Sequence, residues 1–284
     1  MVVGHGTRDP GGTRQFFELV ERVDRRCELT VAPAVLEFQQ PDIDAAVESL
    51  VGQGIRHIHI APLLLFAAGH AKTDIPGEVN AAIDRLGVDV TTDQCRPLSR
   101  TDALVAAATD RLMRTLNASG DGNADDAGDA RNHTKPFGED DEIALVMVGR
   151  GSRDPCATSD MRILGQWVYD DLRRIDPRLQ RLQTCFYAMA APKLPESLDA
   201  VAERWVTGPR RKLLVHPHLL FAGRLFDAIA RQCDEANQRI VERTGLVDAV
   251  RLSGYLGPEP DVADALLTRI AQLRRTGELT ITVR

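Results

Sequence analysis

The sequence predicts an α/β fold built from two similar parallel α/β sandwich domains. Three observations predict it. Short apolar runs of strand length alternate with stretches of helical period. The same succession of motifs occurs twice along the 284 residues. A polar segment with almost no large apolar residue, 117–142, separates the two occurrences.

In the first half, apolar runs at 2–4, 29–37, 56–66 and 87–91 read as strands. Between and after them, three groups recur at helical spacing. These are Phe16, Phe17, Leu19, Val20 and Val23; then Ile43, Ala46, Val47, Leu50 and Val51; then Ala103, Leu104, Ala107, Ala108 and Leu112. Asp9-Pro10 supplies an N-cap and a first helical position for the helix leading to Arg26. The second half repeats the plan, with strands near 143–148, 181–187, 212–216 and 249–252. Strands spaced by helices imply parallel pairing with both sheet faces covered. Ligands of such folds bind outside the carboxyl ends of the strands.

The repeat is explicit in three places. Val3-Gly4-His5-Gly6-Thr7-Arg8-Asp9-Pro10 matches Val148-Gly149-Arg150-Gly151-Ser152-Arg153-Asp154-Pro155. Pro62-Leu63-Leu64-Leu65-Phe66-Ala67 matches Pro217-His218-Leu219-Leu220-Phe221-Ala222, and Pro41 pairs with Pro192. Three matches in one order point to duplication. The segment 117–142 then reads as an acidic flexible linker between 1–116 and 143–284, because it cannot bury enough surface to offset its ordering entropy.

Charge and cysteines narrow the function classes. The net charge is −6, and the linker alone carries eight acids and two bases, which leaves 33 of each sign in the body. A neutral body lacks the dense basic face of a nucleic-acid binder. The apolar run at Leu63–Ala68 falls far short of the ~20 residues of a membrane span. No basic-then-apolar leader precedes the first motif, which predicts a cytoplasmic location. The five cysteines, Cys27, Cys95, Cys156, Cys185 and Cys233, form no C-x-x-C pair and read as reduced, mostly half-buried thiols.

The candidate chemistry lies in the first half. His5 sits between two glycines directly after a strand, and His70 follows another strand and Gly69. Two imidazoles at the carboxyl ends of two strands can converge on one divalent cobalt, iron, nickel or zinc ion, and can accept protons near neutral pH. Glu37 ends the run Val31–Phe38 on the same edge and offers a carboxylate. A satisfied turn histidine and a solvated loop glutamate are the plain alternatives. His57 and His59 begin a strand, toward the far end of the sheet, and read as structural; His133 lies in the linker. His216 and His218 flank Pro217 and form a second candidate pair facing metal or substrate.

At this point the motifs carry a resemblance. G-H-G-T-R-D-P after a first strand, followed by P-L-L-L-F-A-A-G-H-A-K-T-D-I-P, resembles the CbiX/SirB-type sirohydrochlorin chelatases, in their long duplicated form. The resemblance covers 1–116 and, more weakly, 143–284. It implies two chelatase-type halves facing each other across a cleft. It also implies His5 and His70 as metal-binding and proton-accepting residues, with Glu37 as the acidic partner. The implied substrates are sirohydrochlorin and a divalent metal: Co²⁺ by the link of the long form to cobalamin synthesis, with Fe²⁺ (siroheme synthesis) or Ni²⁺ as alternatives. No tightly bound organic cofactor is implied. In the second half Arg150 stands for His5, Ala188 for Glu37 and Gly223-Arg224 for Gly69-His70, so one active site is expected, in the first half. Arg8, Arg150, Arg153 and Arg224 are candidates to hold the macrocycle's carboxylates, because guanidinium forks match them; Arg8 and Arg153 can instead pair with Asp9 or Asp154. Only Met1–Val3 precede Gly4, a short first strand for the family, so an upstream native start stays open. A monomer suffices for a duplicated chain, and a homodimer stays open. A non-catalytic tetrapyrrole or metal carrier, a histidine-type phosphatase or mutase, and insertion into another tetrapyrrole are the competing readings.

Overall fold

The computed structural model describes residues 1–67, 69–118, 137–246 and 248–280, the side chains of 276–280 excepted. Most of segment 117–142, His133 included, lies outside the described residues.

The described residues form two four-stranded parallel sheets. The first contains β1 (Val2–Gly4), β2 (Pro33–Val35), β3 (His57–Pro62) and β4 (Thr91–Gln94), in the order β2-β1-β3-β4. The second contains β5 (Glu142–Gly149), β6 (Leu179–Phe186), β7 (Arg211–Pro217) and β8 (Val250–Leu252), in the order β6-β5-β7-β8. The identical order is what a duplication requires. The fourth strand of the first half differs from expectation. The apolar run 87–91 is not the strand: Gly87 closes the preceding helix, and pairing with β3 begins only where Thr91 meets His57.

The helices follow their apolar spacing. α1 (Pro10–Asp24) is capped by Asp9, whose Oδ1 accepts from Gly12 N at 2.8 Å, with Pro10 at the first position. It buries Phe16, Leu19, Val20 and Val23. α2 (Ile43–Gly52) and α3 (Ile75–Leu86) cover one face of the first sheet, packing Ile43, Val47, Leu50, Ile75 and Val79 against Val3, Ile58 and Ile60. In the second half, α5 (Pro155–Ile175) is capped by Asp154, whose Oδ1 accepts from Cys156 N at 2.9 Å, while α6 (Leu194–Trp205) and α7 (Arg224–Thr244) pack on Val146, Val148, Leu213 and Val215.

The last helix of each half does not stay with it. The compact units are Met1–Leu104 with Pro258–Arg284, and Val105–Gly257. α4 (Asp102–Asn117) therefore runs into the second unit, and α8 (Pro260–Thr280) belongs to the first. The repeats 1–116 and 143–284 are thus not the compact units, which exchange a helix. α8 packs on α1 and β3, and its buried Arg269 donates to the carbonyls of Pro97 and Ser99. The equivalent Arg111 of α4 is also buried.

All five cysteines are free, but three are fully buried rather than half-buried. Burial pushes the Cys95 and Cys185 thiols up to about 12 and the Cys233 thiol higher still, which leaves them unreactive. Among the described residues, no helix is long and apolar enough to cross a membrane.

Candidate functional site

β1 ends at Gly4 and delivers His5, half-buried, to the carboxyl edge of the first sheet. The chain after β2 passes directly behind it: Leu36 N donates to Gly4 O at 3.0 Å and Glu37 N to His5 O at 3.1 Å. Gly6 makes this possible. Its φ is +87°, and a Cβ there would stand 1.9 Å from the Glu37 carbonyl oxygen. Thr7 N donates to Gln39 Oε1 at 3.1 Å, which closes the loop onto the histidine turn.

His70 opens a single π-helical turn, His70–Asp74, that runs straight into α3. The turn brings the two imidazoles together, with ring centroids 4.6 Å apart and planes at 87°. His70 Nδ1 lies 2.6 Å from Asp74 Oδ2, four residues on. An ionised carboxylate only accepts, so Nδ1 is the donor, which leaves Nε2 as the nitrogen for a metal. His5 Nδ1 faces the Gly6 carbonyl at 3.3 Å, which selects the same tautomer. Both rings therefore present Nε2 as the basic nitrogen. That is the form in which imidazole ligates a metal, and the carboxylate behind His70 is the usual orienting partner of such a ligand.

Glu37 lies in the loop after β2, because the strand stops at Val35 rather than running on to Phe38. It is exposed, and its backbone is tied to His5. Glu78 on α3 joins the same acidic neighbourhood. Its carboxyl is raised above the usual range, by desolvation first and then by Asp44, Asp74, Asp42 and Glu37. Phe38, at φ +72°, is 53 % exposed, and the Arg8 guanidinium lies 4.6 Å from its ring centre. Asp9 is engaged as a helix cap. Asp74, Glu78 and Phe38 were not singled out by sequence. The spacing His70-Asp74-Glu78, four residues at each step, is the signal that could have found the first two.

The second unit reproduces the scaffold with different side chains. Ala188 N donates to Arg150 O at 2.9 Å, as Glu37 N does to His5 O, and a Cβ on Gly151 would stand 1.8 Å from Ala188 O. These contacts fix Arg150 as the structural counterpart of His5, and Ala188 as that of Glu37. Met189, exposed at φ +59°, takes the place of Phe38. Arg150, Arg153 and Arg224 are all exposed, Arg150 directly after β5 and Arg224 at the start of α7.

His216 and His218 do not form a second outward-facing pair. They are 0 % and 1 % exposed, and His216 Nδ1 lies 2.8 Å from Ser253 Oγ. Burial, then His218 and Arg111, holds His216 well below the usual histidine range; burial takes His218 down to about 3. The unfolded chain protonates these rings near 6.5, so their contribution to stability is complete above that pH and is lost as pH falls toward 3. Denaturant titrations should show wild type losing more stability than His218→Leu between about pH 7 and about pH 5. Equal losses would show that this ring is not the sensor.

The duplicated parallel sheets, with one histidine pair kept at the edge of the first, define a chelatase-type α/β protein. The chain belongs to the CbiX family, whose model matches residues 1–115 and 144–273. It is 25% identical over 269 residues to a sirohydrochlorin cobaltochelatase of Priestia megaterium, covering 95% of this chain and 78% of that one. It is 26% identical over 280 residues to a sirohydrochlorin ferrochelatase of Bacillus subtilis (strain 168), covering 98% and 92%. Among solved structures, SirB from Bacillus subtilis with Fe³⁺ superposes with a TM-score of 0.75 at 26% identity, covering 98% of this chain and 95% of that one. The complex of SirB with cobalt, from subspecies spizizenii, gives 0.69 at the same identity, covering 98% and 94%.

Proposed function

We propose that the protein is a sirohydrochlorin chelatase that inserts a divalent metal, with the chemistry carried by the first unit. The observation that carries this reading is the His5–His70 pair, with both rings 4.6 Å apart in the metal-ligating tautomer, in a chain of this family. Insertion removes two pyrrole protons and delivers a dehydrated cation to the ring nitrogens. His5 and His70 Nε2 strip water from the incoming metal and aim it at one face of the macrocycle. As the metal leaves, the same nitrogens become free to accept the ring protons. Glu37, with Glu78 behind it, holds protons at the edge of the site. The apolar Phe38 ring offers a surface for the macrocycle, backed by Arg8. Arg8, Arg150, Arg153 and Arg224 are our candidates for its eight carboxylates.

The metal we assign is Co²⁺, supported by the likeness to a cobaltochelatase and to SirB in complex with cobalt, while a ferrochelatase of similar length keeps Fe²⁺ beside it. Two imidazoles and a carboxylate take Fe²⁺ and Ni²⁺ as well. Absorption spectra of sirohydrochlorin mixed anaerobically with protein and each ion in turn rank the three. Fastest conversion with Fe²⁺ would replace the cobalt assignment with a siroheme role. The phosphatase reading is not favoured by the family match, and hydrolysis of a generic phosphate ester by the protein would restore it. Tight binding of the macrocycle without conversion would make the protein a carrier.

Asp74 acts through His70 as a positioning residue. Asp74→Asn should weaken Co²⁺ binding and lower kcat roughly ten- to a hundredfold, with KM for the macrocycle unchanged. A variant that loses rate without losing metal affinity would contradict the orienting role.

A further inference from the structure

The first sheet carries a second cluster of the same composition at its opposite end. His57 and His59 alternate on β3, so both project from the face away from Ile58 and Ile60, which lie in the α2–α3 core. Strand register places Thr91 beside His57 and Asp93 beside His59. Asp93 Oδ1 lies 2.5 Å from His59 Nδ1, and Asp93 Oδ2 lies 3.4 Å from His57 Nε2. The two rings stand 4.6 Å apart at 84°, nearly the arrangement of His5 and His70. His57, His59 and Asp93 each bring a ligand atom within 4.8 Å of the others.

We infer that His57, His59 and Asp93 form a second divalent-metal site, separate from the insertion site. Three arguments support it. Metal–ligand bonds of about 2.0–2.2 Å place neighbouring donors roughly 3–3.5 Å apart. The 3.4 Å between His57 Nε2 and Asp93 Oδ2 matches, and the 2.5 Å contact of His59 Nδ1 with Asp93 Oδ1 is a hydrogen bond whose proton an ion would replace. His57 Nδ1 is 2.6 Å from Thr91 Oγ1, a hydroxyl able to accept its proton, which leaves Nε2 turned to the carboxylate as a ligand. Side-chain exposures of 48% for His57, 22% for His59 and 30% for Asp93 leave the remaining coordination positions to water, so an ion can enter. Two imidazoles and one carboxylate favour a first-row transition ion, the class of the substrate metal, over Mg²⁺ or Ca²⁺.

The site is too far away to be part of the catalytic pair. Val3 pairs with Pro62, which sets His5 level with Leu64, five residues beyond His59. At strand rise that is roughly 17 Å. A bound ion would join β3 to the edge strand β4, so metal should slow amide hydrogen exchange over Thr91–Gln94.

Equilibrium dialysis with Co²⁺ alone tests the inference on the full chain. His57→Ala/His59→Ala should bind one ion fewer per chain than wild type and lose the metal-dependent protection of β4. His5→Ala/His70→Ala should keep that protection. Asp93→Asn, a smaller change, should weaken the same ion at least tenfold and serves if the double variant misfolds. A folded His57→Ala/His59→Ala or Asp93→Asn protein that binds as much Co²⁺ as wild type overturns the site. If His5 and His70 instead hold no metal, wild type still binds the β3–β4 ion, so the two readings fail separately.

Discussion

His5→Ala and His70→Ala should each slow metal insertion roughly 10²–10⁴-fold while the fold survives. Neither ring is in a core cluster: His5 is half-buried at the end of β1, and His70 has a side-chain exposure of 37%. Their removal therefore leaves the packing of Val3, Ile58 and Ile60 against α2 and α3 in place. On the proposed mechanism each change takes away one of two Nε2 ligands, and with it the geometry that would dehydrate the cation and receive the pyrrole proton. Macrocycle binding, read from the shift of its absorption on mixing, should persist in both variants. Arg150→Ala, at the structural counterpart of His5, should behave differently, raising KM with little effect on kcat. Steady-state rates for the three variants, beside circular dichroism to verify folding, make the comparison. Normal turnover by His5→Ala removes the histidine pair from the mechanism.

Gly6→Ala should be among the most damaging single methyl groups the chain can receive. The residue sits at φ +87°, and the new Cβ would stand 1.9 Å from the Glu37 carbonyl oxygen, a backbone atom that cannot step aside alone. Left-handed backbone costs a non-glycine residue about 1–3 kcal/mol, and the clash adds to it. The Glu37–Gln39 loop must move off His5, breaking the 3.1 Å bonds from Glu37 N to His5 O and from Thr7 N to Gln39 Oε1. A stability loss of about 3 kcal/mol or more, with chelatase activity lost in the folded fraction, is the expected outcome. Gly151→Ala is the internal control. It meets Ala188 O at 1.8 Å and should cost the same stability, yet leave the His5–His70 pair intact. Equal activity per folded molecule in both variants would mean that the chemistry does not depend on the Glu37 loop.

Much of this was legible in the sequence, for physical reasons that also mark its limits. The duplication shows because G-x-G-[ST]-R-D-P encodes a strand end, a tight turn and a capped helix, and because P-x-L-L-F-A recurs at the end of the third strand of each half. His5 and His70 were readable as a pair because strand ends in a parallel sheet share one edge. The helix exchange was not readable. α4 and α8 have the same apolar period whichever unit they cover, so the repeat boundary says nothing of where each packs. The fourth strand was misplaced because Thr91-Thr92-Asp93-Gln94 is polar, and only its ladder with His57–Ile60 makes it a strand. For the same reason Asp93 could not be set beside His59 without knowing the register. Burial of His216 and His218 was equally hidden, because the pattern around Pro217 does not say that the strand ends under a cover.

The central claim, that this protein moves a divalent ion into sirohydrochlorin through its His5–His70 pair, is tested most directly by one single-turnover measurement. Protein in excess is mixed anaerobically with sirohydrochlorin and Co²⁺, and the macrocycle spectrum is followed beside a protein-free control and the His5→Ala/His70→Ala variant. Conversion much faster than the spontaneous reaction in wild type, falling to the spontaneous rate in the variant, is the predicted result. Conversion at the spontaneous rate in wild type, or equal acceleration by the variant, would contradict it.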